Sequence, residues 1–419
     1  MVILVVFTME ASAQQPWLKN FRTYDKNGLN VFEPVKDTTS TSNEVEVKIG
    51  SAFALQFQAL DHENSNPNNI PGNELVAMGN NFNLATANLD FDVKLYNGVN
   101  LHLRTYLSSR HHPEPYVKGG YITIDKLDFI RPGFLENIMN KVTFKFGHME
   151  NNYGDAHFRR SDNALAIYNP FVENFLMDAF TTEVGAEIYY QSNGWIAMGG
   201  ITNGKLNQTA VKTPTSPSFI GKIGYDKQIT DDFRFRLTGS FYYTHRSANQ
   251  YLYRADRAGS RYYFVTEAVG ASSSAQYASG RFEPGFRNEV TSIMINPFVK
   301  YNGLEFFGLY EISSGKATAE TDTRSVNHIG AELLYRFGAN ENFYIGGRYN
   351  TVTGEIASAG LEGTEGDVTR INLGGGWFMT KNIMVKLDYV NQKYDGYNNT
   401  NRFHGMKFSG AVLEAVISF

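Results

Sequence analysis

The sequence contains no cysteine, and this absence excludes a disulfide framework, a zinc ribbon and a cysteine nucleophile. It also lacks an excess of one charge, because 38 Lys and Arg residues stand against 42 Asp and Glu residues, for a formal net charge of −4. A chain with this balance has no overall basic field, so we expect no nucleic-acid partner. Beyond the N-terminus, no stretch approaches the roughly 18 apolar residues that a membrane-spanning helix needs.

Motifs for catalysis, cofactors and metals are also absent from the sequence. No Gly-rich phosphate loop precedes a helical pattern, and neither His-x-x-x-His nor Glu-x-x-His occurs. The nearest catalytic constellation is Ser109 with His111 or His112, in a loop that offers no residue to orient the histidine. We therefore expect no enzyme activity, no cofactor and no metal site.

What the chain does contain is a high share of aromatic residues, 14%, together with a polar average, a mean hydropathy of −0.33. A bundle of membrane helices cannot be so polar on average. A transmembrane β-barrel can, because only every second residue of each strand faces lipid. Residues 233–244 show the corresponding pattern, since apolar side chains alternate there with Arg, Thr and Ser.

Segments with this period of two recur along the whole chain. Sixteen strands are predicted, near residues 45–59, 85–95, 99–107, 117–128, 142–149, 182–190, 195–203, 218–226, 233–244, 290–301, 304–312, 326–337, 343–351, 368–379, 383–392 and 405–419. Tight turns, several with Asn-Gly, alternate with longer polar loops. The pattern predicts a 16-stranded antiparallel transmembrane β-barrel with long extracellular loops and short periplasmic turns. The connection 128–141 is longer than the other turns of its class, and a helical turn is expected there.

A soluble β-propeller or β-sandwich is the alternative fold. It is disfavoured because no repeat of roughly 40–50 residues is present. In addition, the polar face is strongly charged in strand after strand, as a water-filled lumen requires.

The two chain ends support an exported barrel. Residues 1–13 combine a short apolar run with Ala11-Ser12-Ala13, which predicts a secretory signal peptide, the alternative being a buried N-terminal strand. Residues 14–44 are polar and without periodicity, and we expect a periplasmic N-terminal arm. Residues 45–419 then form the barrel, whose last strand ends on Phe419. These features predict a location in the bacterial outer membrane, surrounded by its lipid.

Strand parity predicts which charged side chains point into the lumen. The candidate pore-lining residues are Lys94, Arg104, Lys145, Glu183, Glu187, Lys222, Arg234, Arg236, Glu311, Arg348, Arg370 and Lys386. The wall is therefore mixed in sign, which argues against strong ion selectivity. A wall whose charges only form cross-strand salt bridges is an equally good interpretation.

Two long loops are candidates for a functional role. Residues 150–180 are too apolar to extend into water, so we expect this loop to fold inward and narrow the pore; packing on neighbouring extracellular loops is the alternative. The candidate constriction residues are Asp155, Arg159, Arg160, Asp162, Glu173 and Asp178. Loop 245–288 is rich in Tyr and Arg and could form a lid or a partner surface, but an extension of the strand hairpin above the membrane is preferred.

Three segments carry a resemblance to a known family: Val142–Met149, Thr182–Tyr190 with Asn193-Gly194-Trp195, and Phe219–Tyr225. With the inward loop and the terminal Phe, the chain resembles Gram-negative porins, and among them the phosphate-selective porin O/P type. The resemblance implies a homotrimer that lets small polar solutes diffuse through its pores. The arginine ladder of that type is not matched residue by residue, so phosphate selectivity is not carried over.

Passive diffusion of small hydrophilic solutes or ions is thus the expected function. The alternative is a barrel that serves as an interaction platform, or as a subunit of an outer-membrane secretion or surface complex.

Overall fold

A single closed β-barrel dominates the computed structural model, which describes residues 15, 18, 20–38, 41, 43–66, 69–108, 116–161, 165–205, 214–247, 249–254, 259–355 and 365–419. The strands are β1 Glu46–Glu63, β2 Asn81–Tyr96, β3 Val99–Ser108, β4 Tyr116–Ile124, β5 Val142–Glu150, β6 Thr182–Ser192, β7 Trp195–Thr202, β8 Ser218–Gln228, β9 Phe233–Thr244, β10 Glu289–Tyr301, β11 Leu304–Lys316, β12 Arg324–Phe337, β13 Phe343–Glu355, β14 Glu365–Phe378, β15 Ile383–Asp395 and β16 Lys407–Ser418. Each strand pairs antiparallel with its neighbours in sequence, and β1 closes the barrel on β16. The predicted 16-stranded barrel is confirmed.

The alternation of side chains follows the predicted parity. On β9, Arg236 and Thr238 are buried inside the barrel, whereas Leu237 and Phe241 are exposed on its outer surface. Apolar side chains on the outside of a closed barrel are what a lipid environment requires. None of the described residues forms a helix long and apolar enough to cross a membrane.

The two ends of the barrel differ in their connections. At the end where β1 begins, strands are joined by short turns such as Asn302-Gly303, where Asn302 has a φ of 49°. Longer loops join them at the other end, so the short-turn end is the periplasmic one. The exception is the connection between β4 and β5, which contains the helical turn α1, Glu136–Met139, as the sequence predicts.

Aromatic side chains ring the periplasmic end of much of the barrel. Phe337 stacks with Phe343 at 5.7 Å between ring centroids, and Phe343 stacks with Trp377 at 5.9 Å. Trp195 and Tyr301 are likewise exposed at the periplasmic ends of their strands. These rings form a girdle of the kind that marks a membrane interface.

Three segments fold into the barrel and fill much of its lumen. The N-terminal arm (described residues 20–38) enters from the periplasmic end, and the constriction loop (151–161 and 165–181) lies against the inner wall. The long loop (249–254 and 259–288) descends from the extracellular end, where the amide N–H of Phe282 donates to the carbonyl oxygen of Leu176 at 2.8 Å. The long loop is therefore an internal element of the lumen, because its Tyr and Arg side chains find buried partners there, and the preferred extension above the membrane is wrong.

The outward face of β15 gives a test of the membrane assignment. Leu387 is 55% exposed on that face. Leu387→Arg should lower the free energy of unfolding by about 2 kcal/mol, because an arginine facing lipid near the bilayer midplane costs about 2–4 kcal/mol. Guanidinium titration of the protein in lipid vesicles measures this loss.

Asn399→Arg is the matched control, since Asn399 is exposed in the loop after β15. It should leave the stability nearly unchanged. Equal stabilities for the two variants would contradict a lipid-facing position of Leu387.

Candidate pore and its constriction

A buried four-charge cluster attaches the constriction loop to the wall of the barrel. The Asp155 carboxylate accepts hydrogen bonds from Arg236 at 2.8 Å, Lys222 at 3.0 Å and Thr238 at 2.8 Å. Glu33 of the N-terminal arm accepts from the same two cations, at 3.1 Å from Arg236 and 3.2 Å from Lys222. We call these four charged residues the Asp155 cluster. It ties arm, loop and wall together at one point.

The carboxylates of the Asp155 cluster stay charged. Burial by itself would raise the pKa of Glu33, but the charges of Arg236 and Lys222 outweigh it and lower that pKa to about 2. Burial also acts against ionisation of Asp155, and the same two cations lower its pKa. Because both pKa values lie below the ordinary range, the stabilisation from these carboxylates is present at neutral and mildly acidic pH and is lost only in strong acid.

A second cluster involves Arg159 of the constriction loop. Its guanidinium donates to Glu305 and to Glu332, each at 2.9 Å. Arg336 also donates to Glu305 at 2.9 Å, and the Glu305 carboxylate accepts from Asn30 of the arm at 2.7 Å. The Glu305 carboxylate of β11 thus holds both the arm and the loop, and Glu332 of β12 also holds the loop.

Cations of the wall also satisfy the backbone of the constriction loop. The Lys386 ammonium donates to the carbonyl oxygens of Ala166, Asn169 and Phe171 at 2.9–3.1 Å, and it forms an ion pair with Glu414 at 2.9 Å. An irregular segment inside a barrel has carbonyl groups that strand pairing cannot satisfy. Inward lysine and arginine side chains supply the missing donors.

Arg370 and Arg348 act in the same way. Arg370 donates to the carbonyl oxygens of Asn174 at 2.9 Å and Gly280 at 2.7 Å, so it binds the constriction loop and the long loop together. Arg348 donates to the carbonyl oxygen of Glu173 at 2.6 Å. These arginines hold loops in place.

A third cluster joins the constriction loop to the long loop. Arg281 forms ion pairs with Glu173 at 2.9 Å and with Asp178 at 3.0 Å, and Asp178 also pairs with Arg160. Burial opposes ionisation of Glu173, but the charges of Arg281 and Arg370 lower its pKa to about 2. The long loop therefore reinforces the position of the constriction loop from the extracellular side.

Two inward glutamates accept hydrogen bonds from polar side chains of the loops and of the wall. Glu311 accepts from Tyr153 of the constriction loop at 2.8 Å and from Tyr253 of the long loop at 2.5 Å. Glu183 accepts from Tyr242 at 3.1 Å and from Gln250 at 3.4 Å. Both carboxylates are fully buried.

The candidate constriction residues are brought together, but in ion pairs. Asp155, Arg159, Arg160, Glu173 and Asp178 are all buried. Arg160 pairs with Asp178 inside the constriction loop, and the other four are bonded to the wall or to another inserted segment. Asp162 lies outside the described residues. That any of these side chains meets a passing solute stays a prediction.

The lumen that remains lies on the other side of the constriction loop, along β2 to β6. A cavity of about 170 Å³ there is bounded by Arg104, Tyr121 and Lys145 on the wall, and by the N-terminal arm with Arg22 and the constriction loop with His157 opposite. We call it the lateral passage.

Wall cations of the lateral passage pair with carboxylates. Arg104 pairs with Asp90 at 2.5 Å and with Glu150 at 3.3 Å, and Lys145 pairs with Glu187 at 3.2 Å. The charged residues that line the passage are consequently of both signs. Arg104 with Asp90 and Lys145 with Glu187 join neighbouring strands, as do Lys386 with Glu414 and Arg348 with Glu332, so cross-strand salt bridges are a real feature of the wall.

A wider vestibule of about 880 Å³ opens at the periplasmic end and is bounded by Arg234, Lys300 and Glu341. Arg234 pairs with Asp226 at 2.7 Å. Lys94, at the same end of the barrel, pairs with Glu46 at 3.2 Å. Arg104, Lys145 and Arg234 are thus the candidate lining residues that border these open spaces.

Several residues of this arrangement were not among the candidates. Asn30 and Glu33 of the arm and Arg281 of the long loop carry central contacts, yet they lie on segments without periodicity. No spacing in the sequence marks them, because their partners are distant along the chain. Ser109, His111 and His112 lie outside the described residues. Within the part of the chain that the structure describes, no group of metal-ligating side chains occurs.

Comparison with known proteins identifies the fold. No protein-family model matches the chain, and no curated protein matches its sequence. Among solved structures, an anion-selective porin from Comamonas acidovorans is 11% identical with a TM-score of 0.55, over 90% of this chain and 100% of that chain. The outer membrane channel DcaP of Acinetobacter baumannii is 11% identical with a TM-score of 0.52, over 90% of this chain and 97% of that chain.

The in-vitro folded OmpT, an outer membrane protein of Vibrio cholerae, is 10% identical with a TM-score of 0.53, over 90% of this chain and 99% of that chain. OmpT has also been solved in a trimer form. At these identities the likeness concerns the fold. The chain thus has the β-barrel fold of bacterial outer-membrane porins and channels, and with its apolar outer surface it is an outer-membrane protein.

Proposed function

We propose that this protein is an outer-membrane porin through which small hydrophilic solutes or ions diffuse passively. The observation that carries the proposal is the lateral passage, a space with paired charges among its lining residues that is left between the wall of β2 to β6 and a constriction loop fastened to the opposite wall. Mechanistically, the fixed loop sets the size limit and the charges along the passage act on the solute. No catalytic role is proposed for any residue.

The charges support a pore of weak ion preference. Arg104 and Lys145 each face a carboxylate partner, so the passage has no ladder of unopposed cations among the described residues. Arg236, Arg348 and Arg370 hold the inserted loops. This arrangement supports a general porin over the phosphate-selective type, because single-sign rings or ladders are what impose strong selectivity.

The oligomeric state that we propose is a homotrimer. The support is the similarity in fold to OmpT, which has a trimer form. Signal cleavage after Ala13 and the boundary between arm and barrel near residue 45 also remain proposals.

A first prediction concerns conduction. The purified protein in planar bilayers should give stepwise ohmic conductance, because a passage beside a loop that ion pairs fix to the wall keeps the same width at different voltages. Silence across voltages and salt concentrations would contradict an open pore.

A second prediction concerns the route. Because the chain has no native cysteine, a single introduced thiol can report access from the pore. Thr123 borders the lateral passage, so a charged thiol reagent should reduce the conductance of Thr123→Cys. Ser313→Cys is the control, since Ser313 is fully buried and bonded to Tyr253 at 2.6 Å, and its conductance should not respond. A reduced conductance for Ser313→Cys, with no change for Thr123→Cys, would place the conducting route outside the lateral passage.

A third prediction concerns the Asp155 cluster. Asp155→Asn leaves Lys222 and Arg236 with Glu33 as their remaining partner in the cluster, and removal of one member of a buried ion pair costs about 3–5 kcal/mol. We expect a loss of unfolding free energy of that order, together with noisier single-channel currents as the constriction loop loosens.

Asp231→Asn provides the control for this variant. Asp231 is exposed in the turn between β8 and β9, so its replacement should change neither stability nor current noise. If Asp155→Asn behaves in the same way as this control, the cluster does not hold the loop.

A further inference from the structure

β3, β4 and β5 are among the shorter strands of the barrel. These strands have 10, 9 and 9 residues, whereas β9 to β16 have 12–14 residues each. Their periplasmic ends present Val99, Ile124 and Val142, where β7, β10, β12 and β13 present Trp195, Tyr301, Phe337 and Phe343. Aromatic side chains anchor a barrel at the membrane interface, so the periplasmic edge of β3 to β5 has fewer such anchors.

The connection between β4 and β5 lies at this weak point and exposes large apolar side chains to solvent. Phe129 is 50% exposed, Ile130 59%, Leu135 48% and Ile138 55%. By contrast, no other periplasmic turn among the described residues exposes more than one large apolar side chain. We call residues 126–141 the apolar connection.

The apolar connection continues the lipid-facing surface of the barrel. On the outer face of β4 and β5, Ile122 pairs with Phe146 and Ile124 pairs with Phe144, which makes an apolar strip that runs down to the connection. Ile122 and Phe146 are exposed on this face, as lipid-facing residues are.

Basic residues accompany these apolar side chains. Lys126, Arg131 and Lys141 lie on the connection, and the Arg131 guanidinium is 5.5 Å from the ring centroid of Phe134. Apolar side chains bordered by Lys and Arg are the composition of segments that lie in a membrane interface, where the cations meet lipid phosphates.

The connection is also held in a defined shape. Asp128 accepts hydrogen bonds from the side chain of Asn97 at 2.7 Å and from the amide N–H of Gly133 at 2.9 Å. Met139 of α1 is buried. The exposed apolar residues are therefore presented by a turn that is fixed to the barrel.

We propose that the apolar connection inserts into the periplasmic leaflet of the outer membrane. Phe129, Ile130, Leu135 and Ile138 enter the acyl region, and the basic residues contact the phosphates of glycerophospholipids. The insertion extends the apolar belt of the barrel beyond the periplasmic ends of β4 and β5. This role is independent of conduction through the pore.

Single-cysteine variants test the insertion, since the chain has no native cysteine. Ile130→Cys and Ile138→Cys are labelled with a polarity-sensitive fluorophore and placed, one protein per disc, in nanodiscs of phosphatidylethanolamine and phosphatidylglycerol. Asp231→Cys, in another periplasmic turn, is the control. The labels at positions 130 and 138 should emit at shorter wavelength than the control and be quenched several-fold more strongly by brominated lipids. Iodide in the buffer should quench the control more strongly than either of them.

Two results would overturn the proposal. Labels at 130 and 138 that are as accessible to iodide as the control would place the connection in water. Labels that brominated lipid does not quench, but that become shielded from iodide when a second copy of the chain or a periplasmic protein is added, would make the connection a protein interface.

Discussion

Charge pairing inside the barrel is the constraint on which the rest of the structure depends. A 16-stranded barrel encloses more space than its own side chains fill, and here three inserted segments occupy much of that space. Each brings carboxylates, cations and unpaired backbone groups into a region away from bulk water. Burial of such groups is tolerated only when they are paired. The mixed sign of the inner wall follows from this requirement, because Lys222 and Arg236 face Asp155 and Glu33 while Glu305 and Glu332 face Arg159.

The same pairing makes the barrel asymmetric. The wall from β8 to β16 binds the constriction loop and the long loop through Arg236, Arg370 and Lys386, and these loops fill this half of the lumen above the periplasmic vestibule. The wall from β2 to β6 keeps its charges paired between neighbouring strands, so it can border a passage. The short strands and the apolar connection lie in that second half. The side of the barrel with the passage is thus also the side whose anchoring in the membrane differs.

The fold was accessible from sequence because it rests on a local rule. Alternating side chains determine which face of a strand is buried, and β9 was predicted with the bounds that the structure gives it. The same alternation predicts that Arg370 and Lys386 point into the barrel. It does not predict what these side chains contact, because their partners are loop carbonyl groups that are far away in sequence. The inward path of the described residues of the constriction loop, 151–161 and 165–181, was inferable from the apolar composition of this loop, whereas the insertion of the arm through Asn30 and Glu33 had no comparable signal.

The central claim is that ion pairs hold the constriction loop inside the barrel and leave a passage along β2 to β6. Determining the path of this loop is its most direct test. A density map of the protein in a lipid nanodisc, at a resolution that shows side chains, would trace residues 151–161 and 165–181. The structure predicts that this loop lies inside the barrel, with Asp155 between Lys222 and Arg236, and that continuous solvent runs along β2 to β6. A loop packed above the barrel, or a passage on the side of β8 to β16, would contradict it.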